Sequence, residues 1–201
     1  MNITENRKAY YGLFSRIFLS EMDEDSLKKM EESEDFEVLF PNYAKWDKRS
    51  ENKKDLIEKY LNVDFADVTV LHLIPYESFY LREDAMIESG GSNPVISFYN
   101  DFGFRADLDR ARAVSPDHLG IELEFMHLLA SKELEALRDN NQEAVNFIRG
   151  LQKEFLKEHI LKWAFMYLMN VYEEARYPFY KDASKALLEF LLEDFEYLSK
   201  L

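Results

Sequence analysis

The stretch SPDHLGIELEFMHLL, residues 115–129, decides how the rest of the chain is read. It is mostly apolar, yet it holds Asp117, His118, Glu122, Glu124 and His127. Ser115 followed by Pro116 predicts a helix start, with a hydroxyl N-cap and proline at the first helical position. Asp117 would then sit in the first turn, where the helix dipole favours an acid. At about 100° per residue, His118 and Glu122 fall one turn apart inside an apolar arc with Phe125, Leu129 and Met126. Glu124 falls with Ile121 and Leu128 on the neighbouring side. A buried carboxylate is costly without a partner. The expectation is therefore a His118–Glu122 pair, or a hydrogen bond from Glu122 to a backbone group of another helix.

Working outward, the chain has 6 Gly and 5 Pro in 201 residues, and helical spacing dominates. Asn2 and Glu5 have capping-box character, and Tyr10, Leu13, Phe14, Ile17 and Phe18 recur on one helical face. Short helices are expected at 24–32 and 34–40, and a longer one at 51–62. DFADVTVLHLIP (64–75) is rich in β-branched residues, but it has no evident partner strand and is read as a helix ended by Pro75. A turn at Gly90-Gly91-Ser92 and a helix over 94–103 follow. Three long helices are expected at 116–138, 141–174 with a bend, and 178–199. The prediction is an all-α protein, a single irregular bundle of about nine or ten helices. It reads as one domain over 1–201, with a division into lobes 1–104 and 116–201 at a hinge of residues 105–115 as its variant form.

The composition is 47% hydrophobic and 32% charged, which indicates a globular chain. The 25 Lys and Arg against 39 Asp and Glu leave a net charge of −14. That field disfavours nucleic acid and anionic membranes and favours basic partners. The absence of cysteine excludes disulfides, thiol catalysis and Cys-based metal sites. MNITENRKAYYGLF at the N-terminus has no apolar signal core, and no run is long enough to span a bilayer, so a cytoplasmic location is expected.

Chemistry-bearing motifs are sparse. Glu124 and His127 have the E-x-x-H spacing of di-iron bundles, but His72 and His159 lack a Glu three residues before them. There is no Gly-x-Ser-x-Gly elbow, and SGGSN (89–93) lacks the Gly-Lys-Ser/Thr of a phosphate loop. His159 and Trp163, four apart, are expected to lock helices together. His72 is expected to be a core or boundary histidine. Tyr76 and Tyr80 are either core aromatics or a binding surface.

PYESFYL (75–81), SPDHLGIELEFMHLL (115–129) and QKEFLKEHILKW (152–163), in this order in an acidic helical chain, resemble the TorD/DmsD/NarJ-type redox-enzyme maturation chaperones. The resemblance implies a TorD-like cytoplasmic chaperone, with no enzyme activity and no cofactor of its own. The partner it implies is the apo form of a molybdenum- or tungsten-cofactor oxidoreductase, bound through its twin-arginine signal peptide or another region. The task it implies is assisting cofactor insertion before export or assembly. The peptide-binding positions it implies are Tyr76, Glu77, Tyr80, Asp117, His118, Glu122 and Glu124. Asp117 and Glu124 would accept hydrogen bonds from arginine, and Tyr76, Phe79 and Tyr80 would cover the apolar part. A monomer is expected, with residues 105–115 as the hinge if the chain swaps domains. Two other readings stand beside this one: a generic acidic helical adaptor for a basic partner, and a carboxylate–histidine metal-binding bundle.

Overall fold

Helical periodicity carries through almost the whole chain, and the all-α expectation holds. The computed structural model describes residues 3–201, 74% of the model is helical, and no strand occurs among the described residues. In chain order the α-helices are α1 (Ile3–Leu19), α2 (Glu24–Glu31), α3 (Phe36–Leu39), α4 (Pro41–Ala44), α5 (Lys53–Leu56), α6 (Asn62–Ala66) and α7 (Glu77–Leu81). They continue with α8 (Ile96–Asp101), α9 (Leu108–Ala111), α10 (Leu119–Arg138), α11 (Gln142–Phe155), α12 (Leu161–Glu174) and α13 (Pro178–Lys200). Wide π turns at Ile57–Leu61, Asp67–Leu71 and Leu156–Ile160 join some of these into longer rods. Counting each rod once gives 11 helices among the described residues. The Asn2 half of the proposed capping box lies outside the described residues.

The β-branched segment becomes helix because it does not have to nucleate one. Asn52 caps α5, its side chain accepting from Lys54 N and Asp55 N, and the rod continues to Leu71. Extending an existing helix through Val or Thr costs only tenths of a kcal/mol per residue, about what one buried methylene returns. Leu61, Phe65 and Val68 are buried at helical spacing, and Thr69 Oγ1 donates back to Phe65 O at 2.6 Å. The rod ends at Leu71, four residues before Pro75. Within 141–174, where a bend is expected, the helix carries a π turn at Leu156–Ile160.

The chain divides into two compact units. The first takes the chain through Leu19, then Pro75–Ala164 and Phe190–Leu201; the second takes Ser20–Ile74 and Phe165–Glu189. Residues 105–115 lie inside the first unit.

In the second unit two buried aspartates tie loops to helix starts. Asp182 accepts from Asn42 N and Tyr43 N, both at 2.8 Å, and Asp64 accepts from Arg176 N and Tyr177 N at 3.0 and 2.8 Å.

In the first unit α10 is the central rod. Every residue of Leu119–Met126 except Glu124 is buried. It crosses α1 at two glycines. A Cβ on Gly12 would meet His127 Nδ1 at 2.9 Å, and one on Gly120 would meet Leu19 Cγ at 2.4 Å and Leu19 N at 3.2 Å. Ser15 Oγ donates to Gly120 O at 2.8 Å across the same crossing. Further along, Arg7 of α1 is buried against Glu133 (2.7 Å), Asp194 and Gln152, while Arg149 reaches Glu133 at 2.6 Å. Two guanidiniums thus face two carboxylates, and Tyr11 Oη donates to Asp194 at 2.6 Å. Burial opposes ionisation of Glu133, but hydrogen bonds from Gln152 and Arg149 and the Arg7 charge outweigh it and hold its pKa low.

Gly120→Ala places a methyl where Leu19 side chain and backbone already stand. Overpacking of this kind costs about 1–3 kcal/mol. Urea unfolding of Gly120→Ala beside the parent chain is expected to show a loss in that range with an unchanged m-value; equal midpoints would mean that α1 and α10 are farther apart than described.

Candidate functional site

The motif region is built around a short backbone pairing in the first unit. Tyr76 and His118 form an isolated antiparallel bridge. Glu77 N donates to Asp117 O at 3.0 Å, and Leu119 N donates to Pro75 O at 2.9 Å. This pairing corrects the expected helix start. Residues 117 and 118 are drawn out to bridge residues 75–77, so His118 is extended (ψ 134°) and α10 begins at Leu119. His118, and not Ser115, is the N-cap, its ring Nδ1 accepting from Gly120 N at 3.1 Å. Pro116 and Asp117 precede the cap and are not part of the first turn.

Asp117 serves a different helix. It is completely buried, and Oδ2 accepts from Ser78 N at 2.7 Å, which satisfies an orphan donor in the first turn of α7. Its Oδ1 meets Ser115 Oγ, which also lies 2.7 Å from Glu88 O and accepts from Asn93 Nδ2 at 2.9 Å. Asp117 therefore joins α7 to the loop before α10 and to the turn at Glu88–Asn93.

The expected His118–Glu122 pair is not formed. Burial pushes the His118 imidazole down to about 4, against the opposing charge of Asp117, so the ring is neutral and spends its Nδ1 on Gly120. Glu122 instead accepts from Trp163 Nε1 at 3.3 Å and lies beside Glu77. Burial, then the nearby charges of Glu77 and Asp117, push the Glu122 pKa well above the ordinary carboxylate value. Glu122 Oε1 is buried with no hydrogen-bond partner, a position that suits a protonated carboxyl better than a charged one. Glu77 faces His159 Nδ1 at 3.0 Å on its other side. A buried chain thus runs Trp163–Glu122–Glu77–His159.

Aromatic rings enclose this chain. His159 lies against Phe98 and Phe155, with ring centroids at 5.2 and 4.8 Å. Tyr80 stacks on Trp163 at 5.4 Å, and Tyr76 meets His118 edge-on at 5.1 Å while its hydroxyl accepts from Val114 N. The expectation that His159 and Trp163 lock helices together holds, with His159 fixed to α7 and Trp163 to α10. His159 sits on a π turn, which widens the helix by one residue and sets the ring's direction.

The seven residues singled out from the sequence separate into two groups. Tyr76, Glu77, Asp117, His118 and Glu122 are buried in one hydrogen-bonded and ring-stacked cluster. Tyr80 and Glu124 are half-buried, and Glu124 pairs with Arg110, whose side chain is 66% exposed. Arg110 escaped sequence reasoning, as did the Glu77–His159 contact between residues 82 apart in the chain; nothing in local spacing signals either. Glu124 and His127 diverge: Glu124 turns to Arg110, while His127 Nδ1 meets Lys8 O at 2.9 Å. His72, expected at the core or its boundary, is 52% exposed beside Asp67. None of the described helices is long and apolar enough to cross a membrane.

This arrangement, an all-helical chain whose Pro-Asp-His segment clasps an aromatic helix, can be set beside known proteins. The family described as nitrate reductase delta subunit matches residues 20–167, and the chain belongs to that family, the TorD/NarJ group that the three motifs resemble. Among curated proteins it is similar to the chaperone protein TorD of Vibrio vulnificus strain YJ016, 25% identical over 209 residues that cover 96% of this chain and 95% of that one. The chaperone protein TorD of Vibrio parahaemolyticus is 21% identical over the same shares. No solved structure matches significantly.

Glu122→Gln tests the proton assignment. A carboxyl that stays protonated in the folded chain but ionises when unfolded makes stability fall as pH rises above its unfolded value near 4.5. The amide cannot ionise and removes that term. Glu122→Gln is expected to match or exceed the parent in stability at pH 7 and to lose ground relative to it toward pH 4.5. Chemical denaturation across this range checks it; a deficit of the variant that does not shrink as pH rises would show that Glu122 is charged.

Proposed function

We propose that the chain is a cytoplasmic chaperone, acting by binding and not by catalysis. Its partner is the apo form of a molybdenum- or tungsten-cofactor oxidoreductase. It engages that client through the twin-arginine signal peptide or another region, and assists cofactor insertion before export or assembly. The observation that carries this reading is the family match over residues 20–167, together with relatives named as TorD chaperones along nearly their whole length.

Within this reading the residues take different tasks. Glu124 is the arginine acceptor: it is partly exposed, and it already holds the guanidinium of Arg110. A client arginine would take over that place with a charge-assisted hydrogen bond. Tyr80, half-exposed and backed by Trp163, offers a face for guanidinium stacking or for an apolar residue. Tyr76, Glu77, Asp117, His118 and Glu122 are positioning residues that hold α7 and the start of α10 in register. The net charge of −14 speeds encounter with a basic segment, and salt weakens that contribution.

Titration of a labelled twin-arginine signal peptide at low and moderate salt, beside its twin-lysine counterpart, tests the reading. Arginine should be preferred, because a planar fork meets a carboxylate with two hydrogen bonds where lysine offers a point charge. Glu124→Gln is expected to weaken binding by about tenfold and to erase the preference, consistent with one charged hydrogen bond of about 1.5 kcal/mol. Arg110→Ala is expected to tighten binding, since it removes the internal competitor. Failure of a panel of such peptides to bind, with a client's mature region binding instead, would move the contact away from the signal peptide. Failure of both would sink the chaperone reading.

A further inference from the structure

The second unit presents an apolar face to water. Along α12, Phe165, Met166, Met169 and Tyr172 are 54, 58, 42 and 40% exposed, while Tyr167, Leu168 and Val171 are buried. At about 100° per residue, Phe165, Met169 and Tyr172 fall within an arc of about 60°, with Met166 beside it. The π turn ending at Leu71 is tied to this helix and to the loop that follows it. Tyr167 Oη donates to Val68 O at 2.9 Å, and Arg176 pairs with Asp67 at 2.7 Å. That turn adds Val70 and Leu71, 68 and 67% exposed. Helix faces turned to solvent ordinarily carry charged and polar residues, and apolar side chains grouped in this way mark an interaction surface. Two of the six are methionines, whose unbranched thioethers adapt to differently shaped apolar partners.

Charge selects the occupant. The second unit carries 19 Asp and Glu against 11 Lys and Arg, a net of −8. The apolar run on α12 leads directly into exposed Glu173 and Glu174. A second copy of the chain would bring its own −14 and be repelled, and so would an anionic lipid surface. We propose that this face docks an amphipathic helix of a protein partner, one that bears Lys or Arg beside its apolar stripe. The stripe would lie along Phe165, Met169 and Tyr172, with Val70 and Leu71 contributing from the neighbouring turn, and the basic residues would meet the acidic surround. The proposal is independent of the chaperone reading, since it uses none of Tyr80, Arg110 or Glu124.

The test is fluorescence anisotropy on the full chain with a labelled helical peptide of Leu and Lys in amphipathic order. A peptide of the same composition with the stripe broken, and an amphipathic Leu/Glu peptide, run beside it. The ordered Leu/Lys peptide is expected to bind best. Phe165→Ser with Met169→Ser, and separately Val70→Ser with Leu71→Ser, are each expected to weaken it at least tenfold while circular dichroism stays unchanged; Glu124→Gln is expected to have no effect. Equal binding of the ordered and broken peptides, or undiminished binding by both double variants, would overturn the proposal in favour of a diffuse acidic attraction. Sedimentation that shows a dimer of the chain alone, abolished by Phe165→Ser with Met169→Ser, would overturn it in favour of a second copy.

Discussion

Two backbone hydrogen bonds between residues 75–77 and 117–119 hold the first unit's polar interior in register. They place Asp117 where its carboxylate can accept from Ser78 N, and Glu77 where it can meet both Glu122 and His159. Each of these contacts joins segments about 40 or more residues apart. An unsatisfied buried carboxylate or amide costs about 1–3 kcal/mol or more, so the cluster is stable only as a complete set. Pulling out one member leaves the others without partners. That explains why a region with so few ordinary core residues can be fully buried.

The same unit contains a second polar cluster built on the opposite principle. Arg7, Arg149, Glu133 and Asp194 keep their charges and balance them two against two. Among the described residues no arginine pairs with Glu122, and burial opposes charge instead: it raises the Glu122 pKa and lowers that of His118 to about 4. One cluster depends on ionised carboxylates and weakens in acid. The other contains a carboxyl whose charge burial opposes, and it weakens as pH rises. Close packing between α1 and α10, with glycine at both close approaches, lets the two clusters share one central rod.

Much of the helical content was legible from spacing alone. Phe14, Ile17 and Phe18 of α1 and the long apolar arc of α10 are periodic and buried, while Tyr10 and Leu13, read on the same face of α1, are half-buried. The helix start at Ser115–Pro116 was not legible. Its local signals are sound, but the pairing with residues 75–77 outweighs them and moves the cap to His118. The His118–Glu122 pair failed for a related reason. Spacing shows that two side chains can meet; it does not show that Trp163 and Glu77 meet one of them more favourably.

That this chain is helical, acidic and marked by three motifs of one family can be read along it directly, because periodicity, charge and motif order are properties in one dimension. What the motif residues do follows from the folding around them. Burial of Asp117, the raised pKa of Glu122, the contact of Glu77 with His159 and the hold of Arg110 on Glu124 all depend on which distant segments share a space. There desolvation, not spacing, sets which groups keep a charge and which remain within reach of a partner.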